Sequence, residues 1–260
     1  MALSILVCIK AVPDLAAGGE WALDGWWRNA DGLSWCMNTY DAYALESALT
    51  IKDNFEEVTV DVISVGREQA RDTIRRAMAM GADAGIHVIM ETDGRPAPET
   101  VAMAIAHVAR QRNDDLILTG AISEDLMQGL TGPMIAAAID RPCAAAAVDI
   151  APDPASSSLR VTCELEGGMA EHIRLHLPAV VTVQTTGHQP RYPSLSNVMR
   201  SRRQAIERVV PPQADPSRPR VQFRGVAFPQ QVSDCKVLEG TPVEKADALL
   251  RLFSEKGWLK

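Results

Sequence analysis

The sequence lacks the features of several protein classes. It has only five cysteines among its 260 residues, at positions 8, 36, 143, 163 and 235, and no pair has CxxC spacing. This pattern argues against a disulfide framework and against a cysteine metal site. No apolar stretch reaches the roughly 18 residues of a membrane span. These absences predict a soluble intracellular protein.

An excess of positive charge is also missing. The chain has 33 acidic and 26 basic side chains, and its net charge is −7. Its surface as a whole would therefore repel a phosphate backbone or an anionic membrane, and we expect no nucleic-acid partner. The first residues, 3–9, have the pattern of a buried strand and not that of a signal peptide, so we expect no signal or transit peptide.

Short apolar runs rich in β-branched residues alternate with helical patterns. The runs are residues 4–9, 58–65, 86–89, 115–119 and 145–150, each too short for a helix. Between them, residues 70–80 and 99–110 place their apolar side chains on one helical face. We predict an α/β fold with a doubly wound, mainly parallel sheet.

The pattern changes after residue 150. Residues 159–165 and 172–183 flank Gly167 and Gly168, which predicts an added antiparallel hairpin. We place one main domain at residues 1–208 and an extended, proline-rich C-terminal arm with a single helix at residues 209–260. That helix has Thr241 as N-cap, Glu244 completing a capping box and Gly257 as its stop. We expect it to pack on its own domain or on another subunit.

Three segments follow strands at the edge of the predicted sheet where ligands bind in such folds: residues 10–14, 66–69 and 120–131. In the third, Gly120 and Gly132 would allow close approach of a ligand, and a new helix start favours an anion such as phosphate. The spacing matches neither a Walker A loop nor GxGxxG. An ordinary polar loop remains the alternative at this stage.

Five blocks in order along the chain resemble the electron transfer flavoprotein β-subunit family. They are ILVCIKAVPD at 5–14, the segment 37–49, TIRRAMAMGAD at 73–83, LPAVVTV at 177–183 and QPRYPSLSNVM at 189–199. The resemblance implies an adenine nucleotide α-hydrolase-like fold and a heterodimer with an α-subunit that holds most of the FAD. It also implies AMP in this subunit, and electron flow from a dehydrogenase to an acceptor without catalytic residues in this chain.

The resemblance also implies which residues contact the nucleotide. These are Cys8, Asn38, Thr39, Tyr40, Asp41, Val65, Gly120, Ala121, Ile122, Ser123, Glu124, Asp125, Gln128 and Thr131, while Leu15 and Tyr40 would lie near the FAD. The family loop usually begins Gly-Lys-Gln-Ala-Ile-Asp, and this one keeps only Gly120, Asp125, Thr131 and Gly132. Because the loop lacks this lysine, three possibilities stay open for the occupant of the site: AMP, a second FAD as in bifurcating members, or no nucleotide.

By the same resemblance, residues 189–200 form a partner segment that recognises the dehydrogenase. Its implied contacts are Tyr192, Pro193, Ser194, Leu195, Ser196, Asn197, Met199 and Arg200. Leu195 would be the exposed anchor, because apolar area on a stiffened backbone suits an interface. The alternative is a leucine that packs inward.

Other features are weaker indications. Trp21, Trp26, Trp27 and Trp35 crowd a short insertion, which predicts an interface or a lid on the chain's own domain. His172 and His176 would share one side of a strand, but no third ligand is evident and we predict no metal site. Cys8 is better explained as a small buried residue than as a nucleophile.

The sequence also bears on the compartment and leaves one rival function open. The cytoplasm of a bacterium or the mitochondrial matrix of a eukaryote is the expected compartment. The rival function is a stand-alone adenine-nucleotide-binding regulator or hydrolase of similar fold, although no activated nucleophile is evident.

Overall fold

A computed structural model describes residues 2–14, 34–91, 96–153, 156–212, 235 and 237–259. The chain forms two compact units, residues 1–224 and 225–260. In the first unit the described strands are β1 Leu3–Cys8, β2 Ala11–Pro13, β3 Trp35–Met37, β4 Val58–Gly66, β5 Ala84–Ile89, β6 Leu116–Gly120, β7 Cys143–Asp153, β8 Ser158–Glu164, β9 Ala170–His176, β10 Ala179–Val183 and β11 Ile206–Val209. Its helices are α1 Thr39–Asn54, α2 Gln69–Met80, α3 Pro98–Arg112, α4 Thr131–Ala138 and α5 Leu195–Arg203.

The main sheet has the strand order β11-β5-β4-β1-β6-β10-β7-β8-β9. The seven neighbouring strands from β11 at one edge to β7 all pair in parallel. The remaining pairs, β7 with β8 and β8 with β9, are antiparallel. The chain runs from β1 outwards to β4 and β5 and then returns to β6 on the other side of β1. The sheet therefore reverses its winding between β1 and β6, where folds of this kind bind ligands.

Both faces of the sheet are buried, because its strands alternate two apolar sets. One face packs Ile5, Val7 and Val62 against Leu45 of α1 and Ile74 of α2. The opposite face packs Leu6, Ile63 and Ile117 with residues of α3 and α4 such as Ile105 and Ile135. This double cover confirms the predicted doubly wound α/β class.

The hairpin is confirmed, but its second half was assigned wrongly. Strand β9 ends at His176, Leu177 and Pro178 make a break, and β10 then enters the sheet between β6 and β7. Pro178 has no N–H to donate to the ladder. The five residues of β10 are all buried, as a central parallel strand requires.

Not all elements were predicted. No helix was predicted over residues 39–54, which form α1, and strand β11 is a further strand that extends the sheet beside β5. Residues 195–203 form helix α5, which was not predicted within the partner segment. Its N-cap Ser194 accepts a hydrogen bond from the Asn197 amide at 3.3 Å. A serine before a short polar helix is a typical start signal, and its apolar residues are too few to reveal the helical period.

The second unit contains helix α6, Pro242–Glu255. The Thr241 hydroxyl accepts from the Glu244 amide at 3.4 Å, and the Glu244 carboxylate accepts from the Thr241 amide at 2.7 Å. The predicted capping box is therefore present, and Gly257 adopts a φ of 68°, as expected for a helix stop. None of the helices that the structure describes is long and apolar enough to cross a membrane.

Gly85 in β5 provides a test of the packing between the sheet and α2. A Cβ atom at this position would collide with the Cγ2 methyl of Ile74 and lie 3.0 Å from the sulfur of Met78, both fully buried. We expect Gly85→Ala to lower the free energy of unfolding by about 1–3 kcal/mol. Gly187→Ala, where nothing lies within 4 Å of the new methyl group, should change it by less than about 0.5 kcal/mol. Equal urea midpoints for the two variants would contradict this packing.

Candidate functional site

A cleft opens at the carboxyl ends of β1, β4 and β6, at the point where the sheet reverses its winding. Most of the predicted nucleotide contacts line it: Cys8, Asp41, Val65, Gly120, Ala121, Ile122, Ser123, Asp125, Gln128 and Thr131. Asn38, Thr39, Tyr40 and Glu124 are not among its lining residues. Asn38, Thr39 and Glu124 take part in hydrogen bonds between the start of α1 and the loop after β6.

Asp41 ties helix α1 to both central strands. Its carboxylate accepts hydrogen bonds from the Lys10 amide at 2.8 Å and the Gly120 amide at 3.0 Å. The side chain is buried. Burial raises the pKa of Asp41 to about 7, against the opposing effect of hydrogen bonds from Asn38, Lys10 and Gly120.

Gly120 lets α1 approach β6 this closely. A Cβ atom on Gly120 would overlap the Asp41 carboxylate and lie 2.9 Å from the Asp41 amide nitrogen and from the Cβ of Tyr40. Gly132 is similarly confined, with the Thr119 hydroxyl 2.7 Å from such an atom. Neighbouring protein atoms leave no room for a side chain at either glycine, and the close approach of a ligand at these positions stays a prediction.

Asn38 fixes the loop that follows β6. Its side-chain amide donates to the Ile122 carbonyl at 2.9 Å, and its carbonyl oxygen accepts from the Glu124 amide at 3.1 Å. The Thr39 amide donates to the Glu124 carboxylate at 3.4 Å. The start of α1 is thus hydrogen-bonded at several points to the loop that forms part of the cleft wall, and these residues help to fix the shape of that wall.

Lys10 supplies a cation that the loop sequence itself lacks. Its Nζ atom lies 2.6 and 2.7 Å from the two Asp125 oxygens and 3.3 Å from the Ser123 hydroxyl. The Asp125 side chain is only 3% exposed, whereas that of Lys10 is 36% exposed. The segment 10–14 was singled out in the sequence, but no pattern connected Lys10 to a loop more than 100 positions away.

One wall of the cleft is apolar, and its α3 residues were missed. It consists of Pro98, Val101 and Ile105 of α3, together with Val65 and Cys8 at the strand ends. The apolar stripe of α3 was interpreted as core only, and its first turns in fact extend beyond the sheet edge into the cleft. A flat apolar ring fits this side of the site.

The opposite end of the cleft is formed by the start of α4. Leu130 precedes this helix and gives it no side-chain cap, and Leu130 and Thr131 both line the cleft. The first amide groups of a helix have no partner within it, so this end favours an anionic group. The cleft thus has an apolar side and an anion-favouring end.

Cys8 lines the cleft without the properties of a nucleophile. Burial raises the pKa of its thiol far above the ordinary value, and the charges of Asp41 and Asp114 act in the same direction. The thiolate that nucleophilic attack needs is therefore suppressed.

The partner segment carries exposed apolar side chains. Tyr192 is 89%, Leu195 87% and Met199 51% exposed. Leu195 therefore does not pack inward in this chain, and it opens helix α5. Arg200, Arg202 and Arg203 lie in the last turn of that helix.

Several sequence predictions fall elsewhere. Leu15, Trp21, Trp26 and Trp27 lie outside the described residues. Trp35 is in β3, which pairs antiparallel with β2 at the base of the insertion. The His172 ring nitrogen Nδ1 forms a hydrogen bond with the Thr162 hydroxyl at 3.1 Å. Within the described ranges no three His, Cys, Asp or Glu side chains converge as metal ligands.

Comparisons with known proteins agree on one family. A family model described as the electron transfer flavoprotein domain matches residues 26–214. The human electron transfer flavoprotein subunit beta is 36% identical over 214 residues, which cover 80% of this chain and 82% of the human protein. The mitochondrial subunit beta of Arabidopsis thaliana is 36% identical, with 80% and 81% covered. The subunit beta of Bacillus subtilis is 29% identical, with 86% and 87% covered.

The raised pKa of Asp41 predicts a pH dependence of stability. Because the folded state holds this proton more tightly than the unfolded chain, the stabilisation is present at low pH and is lost as the pH rises through about 7. The free energy of unfolding of the wild type, relative to Asp41→Asn, should therefore fall by about 1 kcal/mol between roughly pH 6 and pH 8. Urea unfolding of both proteins at the two pH values measures this. A difference that stays constant or increases between pH 6 and pH 8 would rule out a pKa near 7 for Asp41.

Proposed function

This chain belongs to the electron transfer flavoprotein β-subunit family, and we propose that it forms a heterodimer with a flavin-holding α-subunit that carries electrons from a dehydrogenase to an acceptor. The observation that carries the proposal is a cleft at the sheet reversal, built from the residues that the family resemblance implies. The chain's own part is to hold a nucleotide, to support the α-subunit and to present the partner segment, without bond chemistry of its own.

The residues of the cleft fit AMP. The apolar side from Val101, Ile105 and Val65 suits an adenine ring, and the start of α4 suits a phosphate. The Lys10 Nζ atom adds positive charge to the loop, although Asp125 compensates much of it. We therefore assign the phosphate mainly to backbone amides and the Ser123 hydroxyl, with Lys10 holding the loop in shape.

The redox chemistry belongs to FAD, held mainly by the α-subunit, which accepts and releases electrons. On the family resemblance we propose that Tyr40 lies near it, and that Leu15, which is outside the described residues, does so too. The rival functions, a stand-alone nucleotide-binding regulator or hydrolase and a bifurcating form with a second FAD, are not favoured by relatives named as electron transfer flavoprotein subunits.

We also propose where the chain works and how its C-terminal unit is used. The bacterial cytoplasm or the mitochondrial matrix is the proposed compartment, since relatives come from bacteria and from mitochondria. Helix α6 exposes Leu249 and Leu250 by 41% and 53%. These side chains need a cover, which we propose to be the α-subunit or the chain's own main domain.

Co-purification tests the heterodimer. When this chain is tagged and expressed from its native genetic context, we expect a second, flavin-containing subunit to co-purify in equal amount. The flavin absorbance should then be bleached under anaerobic conditions by one of the purified dehydrogenases of the same organism with its substrate. The partner dehydrogenase is defined as the enzyme that reduces the flavin in this way. A stable, functional single chain without flavin would contradict the proposal.

Substitution of Leu195 tests whether the partner segment recognises the dehydrogenase. We expect Leu195→Ala to raise the KM of the partner dehydrogenase for the heterodimer about tenfold, because an anchor of this type contributes about 1–2 kcal/mol. The flavin content should not change. Met103→Ala on α3, where the side chain is 47% exposed, is the matched control and should leave KM unchanged. Equal KM values for both variants would remove Leu195 from the interface.

A further inference from the structure

An ion-pair cluster fixes the beginning of the partner segment. The Arg191 guanidinium donates to both oxygens of Glu46 in α1, at 2.8 to 3.1 Å, and the Arg191 main-chain amide donates to the same carboxylate at 3.0 Å. The guanidinium also reaches Asp53 at 2.8 Å. Side chain and backbone of Arg191 are thus both held by one carboxylate.

Glu46 is an anchor that cannot easily move. Its side chain is 7% exposed, whereas that of Asp53 is 58% exposed. A buried carboxylate needs charged or hydrogen-bonding partners, and Arg191 provides a bidentate one together with its own amide. The backbone at residue 191 is therefore fixed relative to α1.

A second arginine holds the other end of the segment. Arg75 of α2 donates to the carbonyl oxygens of Ser201 and Gln204 at the end of α5. The last carbonyls of a helix have no partner within it, so this arginine caps α5 from a neighbouring helix. Between the two anchors lie the exposed side chains of Tyr192, Leu195 and Met199.

We propose that Arg191 is a positioning residue for partner recognition: through Glu46 it orders the partner segment before binding, so that Leu195 is presented in a fixed place. This inference rests on the proposed role of Leu195 above. A segment that is already ordered does not lose conformational freedom when the partner binds. Without the clamp, the same contacts would form with lower affinity.

A double-mutant cycle on the heterodimer tests the clamp. Arg191→Lys keeps the charge but loses the bidentate geometry. In the wild-type background it should raise the KM of the partner dehydrogenase about tenfold, with kcat and flavin content within twofold. In the Leu195→Ala background it should raise KM less than twofold, because the anchor that it positions is gone. Glu46→Gln provides a second variant with the same expected pattern, should Arg191→Lys fold poorly.

Hydrogen exchange gives a readout that does not depend on the partner. In Arg191→Lys, the hydrogen-bonded amides of position 191 and of residues 197–199 should exchange about tenfold faster, while those of β1 and β6 remain as protected as in the wild type. Arg174→Lys on β9, where the arginine side chain is 61% exposed, is the matched control and should change neither exchange nor KM.

The outcomes separate the two claims. If the KM effects of Arg191→Lys and Leu195→Ala add, or if Arg191→Lys has no effect in either background, Arg191 does not act through Leu195 and the clamp is overturned while the proposed function stands. If Leu195→Ala itself has no effect, the role of the partner segment fails, and the clamp fails with it.

Discussion

The Asp41 carboxylate is the contact on which the site depends. It accepts the amides of Lys10 and Gly120, which follow or end the two strands that flank the reversal of the sheet. Through this carboxylate, α1 is joined to the carboxyl ends of the paired strands β1 and β6, and Gly120 is needed because a side chain there would occupy the same space. One buried acid thus joins three elements beside the cleft that lies at the reversal of the sheet.

Helix α1 extends this constraint to a second surface. Its first turn is bonded to the loop after β6 through Asn38, and its middle holds Arg191 through Glu46. The cleft and the partner segment are therefore both held by one helix whose inner side is buried against the sheet. Such rigid support suits a carrier that must hold a ligand and meet a partner in a defined orientation.

The sequence predicted the fold because burial on both faces imposes continuous apolar runs, as in residues 58–65 and 115–119. It could not divide residues 172–183 correctly, because the position of β10 between β6 and β7 is a tertiary choice. Half of the residues that line the cleft could be predicted by resemblance. Lys10 could not, because its partner Asp125 is 115 positions away, and the α3 wall could not, because an apolar stripe looks alike whether it faces core or cleft.

Occupation of the cleft by AMP can be tested directly by denaturing the purified heterodimer and by identifying and quantifying the released nucleotides with chromatography and mass spectrometry. We expect AMP in an amount equal to that of the heterodimer, beside an equal amount of FAD. FAD alone would contradict this expectation, because the cleft between α1, α3 and the loop of residues 120–131 would then hold no nucleotide of its own.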